Sequence, residues 1–483
     1  MELEALIRAL APSGVTGVRP VEIGDLAYDT RRVSEGAAFF CVRGERVDGH
    51  DLAWEAIERG ATAVVAERAL EVGVPQLVVP DTRAAMAVAA DAFFGEPTRE
   101  LDVVGVTGTN GKTTTAFVLH SMLDAAGRKP GLVGTVQWIV RGERRPAPFT
   151  TPEAIDLQRL FREMLDAGDR SAAVEASSHG AALKRLDRVR FDALVFTNLS
   201  QDHLDLHGTM EDYFQAKRRL FTGALQPPAA VSIGDEWGRR LADELAGSHR
   251  APLVTFGLDE DAEVRPERLE LTPNGSRFRA AGIDVESPLR GIFNVENVLG
   301  AVAAGLLLDL DPDAIAAGIA RVAEVPGRFE AIDEGQPFAV VVDYAHTPDS
   351  LETVLRAARG LGEGRVIVVF GAGGDRDRGK RPLMGKVAAD GADLAIVTSD
   401  NPRSEQPLQI IEDVLQGAGL DVEIDPDRRS AIHRAIGLAG PGDVVVIAGK
   451  GHEQGQEIAG TVHAFDDRAV AREALLALAR EKA

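Results

Sequence analysis

The sequence is poor in cysteine and in long apolar runs, and both absences narrow the classes of protein it could be. Its 483 residues contain a single cysteine, Cys41, which excludes a disulfide framework. No apolar run approaches the roughly 18 residues that a membrane-spanning helix requires. The amino-terminal stretch MELEALIRALAPSG lacks the basic region and apolar stretch of a secretory signal. We therefore expect a soluble, cytoplasmic protein.

Positive charge is also scarce. Lysine and arginine total 53 against 75 aspartates and glutamates, for a formal net charge of −22. Such a surface repels nucleic acid and anionic membranes, so we expect neither as a partner. An anionic substrate would need local positive charge against this overall field. The hydrophobic fraction of 45% is typical of a globular protein with a substantial core.

Strand-like and helix-like segments alternate along the chain, which predicts an α/β protein with mainly parallel sheets. The length exceeds that of one domain, and two stretches divide it. Gly-Glu-Pro-Thr at 95–98 and Pro-Gly at 326–327 predict domains at 1–98, 99–329 and 330–483. In the third segment, four buried-type strands each run into a loop marked by Gly or Pro. Ligands of open α/β sheets bind beyond the carboxyl ends of strands, so polar residues in these loops are candidate site residues.

The stretch GVTGTNGKTTTAF, from Gly105 to Phe117, predicts a phosphate-binding loop. A strand precedes it and a helix is expected from about Lys112 to Ala126. The common pattern has an earlier glycine where Val106 stands, so this loop is a variant. A glycine-rich turn with a solvated lysine is the alternative, and the strand–loop–helix context disfavours it. The candidate phosphate-binding residues are Gly108, Thr109, Asn110, Gly111, Lys112, Thr113 and Thr114.

Two further stretches, VEASSHG and TNLSQDHLDLHG, indicate a divalent metal site. Glu175 ends an apolar strand, where a lone buried carboxylate is unfavourable. His203 follows another strand. A carboxylate and an imidazole near phosphate oxygens suit a metal bound partly by substrate. The alternative is a helix cap at Asp202 or Asp205 beside a surface histidine; the phosphate loop favours the metal.

The remaining motifs lie in the second and third segments. GIFNVENVLGA places Asn294 and Asn297 on one face at a predicted helix start, where a cap plus a surface amide is the alternative. Prolines beside Arg381 and Arg403 stiffen the backbone, which suits bidentate recognition of a carboxylate. Arg376 and Arg378, in the same glycine-rich loop as Arg381, are expected to be solvated surface residues.

These motifs together resemble the Mur ligases, the ATP-dependent amide-forming enzymes of peptidoglycan synthesis. The resemblance rests on GTNGKTTT, EASSHG, TNLSQDHLD, FNVENVLGA, GDRDRGKRPLMG, SDNPR and AGKGHE, and on DTRRVSEGAAFFCVRGERVDGHD in the first segment. It implies three α/β domains: an amino-terminal uridine-nucleotide-binding domain, a central P-loop ATPase domain and a carboxyl-terminal Rossmann-like domain that binds an amino acid.

The resemblance also implies residue roles. Lys112, Lys217 and His203 would be catalytic. Thr113, Glu175, His203 and a carbamylated Lys217 would bind Mg²⁺. ATP would contact the phosphate loop together with Asn294, Asn297, Arg328 and Asp343. The uridine-nucleotide substrate would contact Thr30, Thr150, Thr151, Ser178 and Arg185, and the incoming amino acid Arg381, Asp400, Asn401, Pro402, Arg403, Gly449 and Glu453. Two positions depart from the family pattern: Thr30 replaces a frequent serine, and Leu183 replaces a glutamine of some relatives.

The activity that the resemblance implies joins meso-diaminopimelate to UDP-N-acetylmuramoyl-L-alanyl-D-glutamate through an acyl phosphate, with ATP and Mg²⁺. SDNPR favours diaminopimelate over L-lysine or L-ornithine. A folylpolyglutamate-synthase-like ligase is an alternative, but its pocket lacks DNPR. A nucleotide-switched binding module is the non-enzyme alternative; the chain has no Asn-Lys pair of the kind that reads guanine. We expect a monomer.

Overall fold

Each sheet of the molecule lies within one of the three predicted segments. The computed structural model describes residues 1–44, 47–248, 250–272, 274–322, 324–419 and 422–482. Glu45 and Arg46, in the first-segment motif, lie outside the described residues. The architecture is α/β as predicted, whereas the domain boundaries themselves stay a prediction.

The first segment contains a five-stranded sheet. In spatial order its strands are Gly14–Thr16, Gln76–Val78, Ala61–Ala66, Ala37–Phe40 and Asp25–Ala27. Only the first pair is antiparallel. The α-helices are Leu3–Leu10, Ala53–Glu58 and Thr82–Phe93, and the 3-10 helices are Thr30–Arg32, Gly49–Leu52 and Pro97–Arg99.

The central segment is built on an eight-stranded sheet. Its strands run in the order Leu253–Phe256, Ala229–Ser232, Ala193–Phe196, Asp102–Thr107, Ser171–Glu175, Pro130–Val133, Gln137–Val140 and Glu143–Pro146. The first six are parallel and the last two antiparallel. A three-stranded antiparallel sheet is formed by Glu267–Thr272, Gly275–Ala280 and Ile283–Ser287.

Helices cover this central sheet on both faces. They are Lys112–Ala125, Ala154–Ala167, Ser178–Ala182, Leu204–His207, Met210–Thr222, Glu236–Ser248, Ile292–Leu307 and Pro312–Ala320. The helix predicted from about Lys112 to Ala126 is therefore confirmed to within one residue.

The third segment has a six-stranded sheet. Its spatial order is Glu330–Ala331, Ala339–Asp343, Val444–Ala448, Val366–Phe370, Leu394–Val397 and Glu423–Ile424, parallel except for the first pair. The helices are Pro348–Ala358, Lys380–Gly391, Pro407–Ala418, Arg428–Leu438 and Asp467–Lys482. A separate hairpin pairs Gly455–Ile458 with Thr461–Ala464.

The strand Val444–Ala448 illustrates why apolar runs become central strands. All five residues are buried. Val444, Val446 and Ala448 pack into one hydrophobic cluster, whereas Val445 and Ile447 pack into another. Side chains of a strand alternate between the faces of its sheet, and helices cover both faces here, so no polar position is tolerated. Polar residues begin only after the strand ends.

The carboxyl ends of the central and third sheets face each other across a shared space. Asn110, in the predicted phosphate loop, donates from Nδ2 to Oδ2 of Asp349 at 2.8 Å, and Ser200 Oγ donates to the same oxygen at 2.9 Å. Asp349 lies in the first turn of a third-segment helix. Loops that follow strands in two different sheets therefore meet. In the described part of the chain, no helix has the length and apolar character to cross a membrane.

Candidate functional site

A cavity of about 890 Å³ lies between the central and third segments. Seventeen of the predicted site residues line it: Thr109, Asn110, Gly111, Lys112, Thr113, Thr114, Thr150, Thr151, Glu175, Ser178, Arg185, His203, Lys217, Asn297, Arg328, Asp343 and Glu453. Nine others lie outside its wall: Thr30, Gly108, Asn294, Arg381, Asp400, Asn401, Pro402, Arg403 and Gly449. Residues far apart in sequence are thus brought together. The phosphate loop and the loop of His203 follow strand ends, whereas Lys217 and Asn297 reach the cavity from helices.

The phosphate loop connects the strand Asp102–Thr107 to the helix that starts at Lys112. Gly111 caps this helix with φ of 86°, and no side chain caps the first turn. A Cβ on Gly111 would lie 2.1 Å from Asn297 Oδ1, and one on Gly108 would lie 1.9 Å from Thr197 Oγ1. Only glycine fits at these points. The uncapped helix start, lined by Lys112, provides the backbone donors and dipole that bind phosphate.

Lys112 and Lys217 approach the same backbone oxygen. Lys112 Nζ donates to the carbonyl oxygens of Gly108 at 3.1 Å and Thr109 at 2.8 Å, and Lys217 Nζ donates to that of Gly108 at 2.7 Å. Lys217 is 1% exposed and lies 4.5 Å from the centroid of the Tyr213 ring. It has no ion-pair partner among the described residues. Burial lowers the pKa of both lysines, and for Lys217 well below the ordinary value, with repulsion from Lys112 adding to the effect.

Glu175 is almost fully buried at the end of its strand. Its carboxylate accepts from Thr113 Oγ1 at 2.9 Å, from the Thr135 backbone N–H at 2.7 Å and from Thr135 Oγ1 at 2.9 Å. Gly134 leaves the space for it, since a Cβ there would lie 2.3 Å from Glu175 Oε1. A buried carboxylate at hydrogen-bonding distance from a hydroxyl on the phosphate loop is a hard-oxygen donor pair that suits Mg²⁺.

His203 lies on the same cavity wall in a left-handed backbone conformation, with φ of 54°. Its Nε2 is 3.3 Å from Asp202 Oδ2, and its ring packs edge-on against His179 with centroids 4.7 Å apart. Burial lowers the pKa of His203 against the opposing effect of Asp202, which keeps the imidazole neutral and able to bind metal. The described residues contain no group of three or more His, Cys, Asp or Glu side chains placed to hold a metal ion. Thr113, Glu175 and His203 line one cavity, and their oxygen and imidazole donors suit a metal that substrate oxygens also bind.

The predicted nucleotide residues Asn294 and Asn297 share a helix face. Asn297 Nδ2 donates to Asn294 Oδ1 at 2.9 Å, and Asn294 Nδ2 donates to the Arg290 carbonyl at 2.7 Å. Asn297 lines the cavity, whereas Asn294 does not line it and accepts a hydrogen bond from the Asn297 amide. The sequence-based alternative, a cap plus a surface amide, is not what the fold contains, because both residues are buried and neither caps the helix.

Arg328 and Asp343 approach the same cavity from the junction of the two segments. Arg328 Nη2 donates to Thr113 Oγ1 at 3.2 Å, and its guanidinium carbon lies 4.3 Å from the centroid of the Tyr344 ring. Asp343 accepts from the backbone N–H groups of Phe329 at 2.6 Å and Ala345 at 2.7 Å. Burial raises the pKa of Asp343 to about 6.

The residues predicted for the uridine-nucleotide substrate divide into two places. Thr150, Thr151, Ser178 and Arg185 line the cavity, whereas Thr30 is buried in the first segment outside it. Thr151 Oγ1 donates to the Glu175 carbonyl at 2.7 Å, and Arg185 Nη1 donates to the Thr151 carbonyl at 2.8 Å. This side of the cavity is therefore tied directly to the strand that carries Glu175.

The residues predicted for the incoming amino acid form a second group around SDNPR. Asn401 Nδ2 donates to Glu453 Oε2 at 2.8 Å. Arg403, with φ of 53° and a side chain 25% exposed, donates from Nη1 to the Gly374 carbonyl at 2.6 Å. Asp400 lies against Gly449, where a Cβ would be 2.5 Å from Asp400 Oδ2. Three loops that follow neighbouring strands thus meet here, with Pro402 between Asn401 and Arg403.

Arg381 is bound by two carboxylates of the third segment. Its side chain is fully buried and donates to both carboxylate oxygens of Glu405, at 2.7 and 3.0 Å, and to Asp413 at 2.8 Å. Two carboxylates already surround the guanidinium, so in this structure Arg381 ties the glycine-rich loop to neighbouring elements. Its contact with an amino acid stays a prediction.

Several cavity residues were not selected from the sequence. Arg376 is exposed, as expected, but it also lines the cavity. Gly373 lies between Arg376 and Arg403, with a Cβ position 3.1 Å from Arg403 Nη1 and 3.9 Å from Arg376 Cγ. The position of Arg376 in the loop after the strand Val366–Phe370 was the sequence signal that could have placed it at the cavity. Glu296 also lines the cavity, and burial raises its pKa to about 7. Nothing in its local sequence indicated that position.

Known proteins resemble the chain over nearly its whole length. Family models match it at residues 22–94 (Mur ligase family, catalytic domain), 106–305 (Mur ligase middle domain) and 327–451 (Mur ligase, glutamate ligase domain). The UDP-N-acetylmuramoyl-L-alanyl-D-glutamate--2,6-diaminopimelate ligase of Geobacillus thermodenitrificans (strain NG80-2) is 48% identical, over 98% of this chain and 99% of that protein.

Solved structures also match the chain over most of its length. A structure of a UDP-N-acetylmuramoyl-L-alanyl-D-glutamate--2,6-diaminopimelate ligase matches with a TM-score of 0.68 and 35% identity, over 95% of this chain and 96% of that one. The Mycobacterium tuberculosis folylpolyglutamate synthase, complexed with ADP and AMPPCP, matches with a TM-score of 0.64 and 20% identity, over 81% of this chain and 95% of that one, a likeness of fold alone. The identity and coverage of the first relatives, together with three family models in chain order, mean that the chain belongs to the Mur ligase family.

Proposed function

We propose that the chain is the ATP-dependent ligase that joins meso-diaminopimelate to UDP-N-acetylmuramoyl-L-alanyl-D-glutamate in peptidoglycan precursor synthesis. One observation carries the proposal: the phosphate loop, Glu175, Lys217, Arg376 and Glu453 all line one cavity between two segments. The 48% identity to a ligase of that name supports it. The proposed reaction uses cytoplasmic substrates, so we propose that the protein is cytoplasmic. We also propose that it is a monomer.

The chemistry begins with a carboxylate, which is a poor electrophile. The γ-carboxylate oxygen of the D-glutamyl residue attacks the γ-phosphorus of ATP, the bond to the β,γ-bridging oxygen breaks, and ADP leaves. Lys112 and the backbone donors at the start of its helix stabilise negative charge on the transferring phosphoryl group. The amine of the incoming amino acid then attacks the acyl carbon, and the tetrahedral intermediate loses phosphate and a proton to give the amide.

Mg²⁺, bound by Thr113, Glu175, His203 and carbamylated Lys217, would supply charge neutralisation at the phosphoryl group. Carbamylation requires a neutral amine, which attacks CO₂ and loses a proton to give a carbamate. The burial and lowered pKa of Lys217 favour that neutral amine. The modification turns a buried amine without an ion-pair partner among the described residues into an anionic carbamate, whose oxygens can bind a metal.

The third segment would bind the amino acid. Diaminopimelate carries a second amino-acid head that lysine lacks, so a selective site must bind an additional carboxylate. Arg403 and Arg376, on either side of Gly373, provide two guanidinium groups for it. Asn401 and Glu453 provide an amide and a carboxylate nearby. Closure of the segments around the cavity would exclude water, which otherwise hydrolyses the acyl phosphate.

An amino-acid panel tests this proposal. Purified protein is incubated with ATP, Mg²⁺, the UDP-muramoyl dipeptide and meso-diaminopimelate, L-lysine or L-ornithine, and the product is identified by mass spectrometry. We expect a strong preference for meso-diaminopimelate and no phosphate release without the dipeptide. Equal or faster turnover with lysine would contradict the proposed substrate. Nucleotide hydrolysis that does not depend on the dipeptide would favour a nucleotide-switched module.

A further inference from the structure

Lys450 is a fully buried lysine to which the proposed reaction gives no role. It follows the strand Val444–Ala448, between Gly449 and Gly451, and its side chain has no exposed surface. Nζ donates to Asn401 Oδ1 at 3.0 Å and lies 3.2 Å from Glu453 Oε2. A buried cation is unfavourable unless it is paired and hydrogen-bonded, and both partners here belong to the predicted amino-acid pocket.

Lys450 determines which way the amide of Asn401 points. An ammonium group has donors only, so the side-chain oxygen of Asn401 must face it. The backbone N–H of Glu457 donates to the same oxygen at 3.0 Å. The amide nitrogen is left to donate to Glu453 Oε2 at 2.8 Å. Lys450 and Glu457 together therefore exclude the flipped amide.

Lys450 also holds one side of the Glu453 carboxylate. Oε2 receives both the Asn401 amide and the Lys450 ammonium, while the side chain remains 33% exposed and lines the cavity. The second carboxylate oxygen carries no hydrogen bond from a described residue. The carboxylate is thus anchored through one oxygen, and the other is left without a described donor in a residue that lines the cavity.

We propose that Lys450 is a positioning residue for the amino-acid pocket, which fixes the Asn401 amide and the Glu453 carboxylate in the orientation that receives the incoming amino acid. This inference rests on the proposed function, because it names the residue that prepares the same pocket. Lys450 does not itself reach the cavity, so it acts through these two side chains.

Lys450→Met removes the ammonium and keeps an unbranched side chain of similar length. We expect the KM for meso-diaminopimelate to rise at least about tenfold, since hydrogen bonds to a charged group are lost. The KM values for ATP and for the UDP-muramoyl dipeptide should change less than about twofold, because Lys450 contacts neither predicted site. Lys450→Arg keeps a donor-only cation and should recover most of the affinity. Lys450→Gln, a neutral donor, should give an intermediate KM and serves if the Met variant does not fold.

Asp443→Asn is the matched control. Asp443 immediately precedes the same strand, at the end opposite Lys450. Its carboxylate accepts from the Arg365 backbone N–H at 2.8 Å and from Arg365 Nη2 at 2.8 Å. Its loss should lower Tm without changing any KM. If Lys450→Met and Lys450→Gln lower Tm as this control does and leave the KM for diaminopimelate unchanged, Lys450 is only structural and the inference is wrong. An equal rise in all three KM values would also overturn it.

A double variant separates positioning from general disruption. Lys450→Met in the Asn401→Ala background should raise the KM for diaminopimelate by much less than in the wild type, since the amide to be oriented is already gone. Full additivity would count against the inference. The unmodified protein runs in the same assay: if it makes no product from diaminopimelate, the proposed function fails, and if it does, the variants report on Lys450 alone.

Discussion

The predicted phosphate site of the central segment and the predicted amino-acid pocket of the third segment differ in how their residues are arranged along the chain. The phosphate site depends mainly on one contiguous stretch, Gly108 to Thr114, between a strand and a helix. The amino-acid pocket takes Arg376, Asn401 and Glu453 from loops after three different strands. In a contiguous motif, the local backbone conformation positions the residues. In a dispersed pocket, the residues come together only when the sheet forms.

The two regions also differ in how they hold positive charge. In the central site, the half-buried Lys112 and the fully buried Lys217 contact the same backbone oxygen, and desolvation lowers the pKa of both. In the third segment, Arg381 and Lys450 are buried as well, but each has a carboxylate partner. Lysines without an ion-pair partner among the described residues, such as Lys112 and Lys217, are suited to take part in the reaction. Cations paired with carboxylates, such as Arg381 and Lys450, are suited to hold neighbouring side chains in one orientation.

The largest expected effect lies in the amino-acid pocket. Arg403→Ala should abolish the preference for meso-diaminopimelate over lysine, because sites built to bind a polar group reject an analogue lacking it by up to about 10⁴-fold. The ratio of kcat/KM values for the two amino acids measures it, with unchanged ATP affinity as a check on the central site. Arg378→Ala is the control, since Arg378 is 70% exposed and pairs with Glu405 away from the cavity. Retained selectivity in Arg403→Ala would assign recognition to Arg376 alone.

Lys112→Ala should come next. Removing a charge that acts mainly in the transition state should lower dipeptide-dependent phosphate release by on the order of 10²-fold or more. Lys386→Ala, at a lysine 64% exposed, controls for the loss of a positive charge. Near-normal turnover in Lys112→Ala would remove this residue from the mechanism.

Lys217→Ala should lose roughly 10²-fold in turnover, because a metal ligand is missing from the proposed phosphoryl-transfer site. A short carboxylate such as formate should restore part of the activity by occupying the vacated position. Mass spectrometry of the intact wild-type protein in bicarbonate buffer checks for the added carbamate. Ordinary activity in the variant would show that Lys217 is only a buried structural lysine.

The smallest effect concerns stability. The pKa of Lys217 in the folded protein lies below that of the unfolded chain, so between these values the unfolded state binds more protons and stability rises with pH. In CO₂-free buffer, Lys217→Met should therefore raise Tm at pH 7 by a few degrees, and the gain should shrink as the pH approaches about 10.4. Thermal unfolding at pH 7 and pH 9.5 measures this. A Tm gain independent of pH would mean that apolar packing, rather than charge burial, is responsible.

Features that depend on local sequence could be predicted, whereas those that depend on contacts between distant segments could not. Strand and helix positions followed from apolar runs, so the α/β architecture and the helix at Lys112 are confirmed. The phosphate loop was predicted from one contiguous stretch between a strand and a helix, and the family was recognised by the resemblance of several such short motifs. The surroundings of Arg381 and Arg376 could not be predicted in this way: Arg381 lies in the first turn of the helix Lys380–Gly391, where Glu405 and Asp413 bind its buried side chain, whereas Arg376 lies in the preceding loop on the cavity wall.

By itself, the sequence indicated the α/β architecture and the helix at Lys112, predicted the phosphate loop, and resembled one family, because each of these rests on short stretches of neighbouring residues. Tertiary structure alone decided which polar groups share the cavity, that Lys217 and Lys112 meet at the Gly108 carbonyl, and that Lys450 supports Asn401 and Glu453. The physical reason is that burial, desolvation and hydrogen-bond partners arise from contacts between distant segments, and these contacts exist only once the sheets have formed and packed.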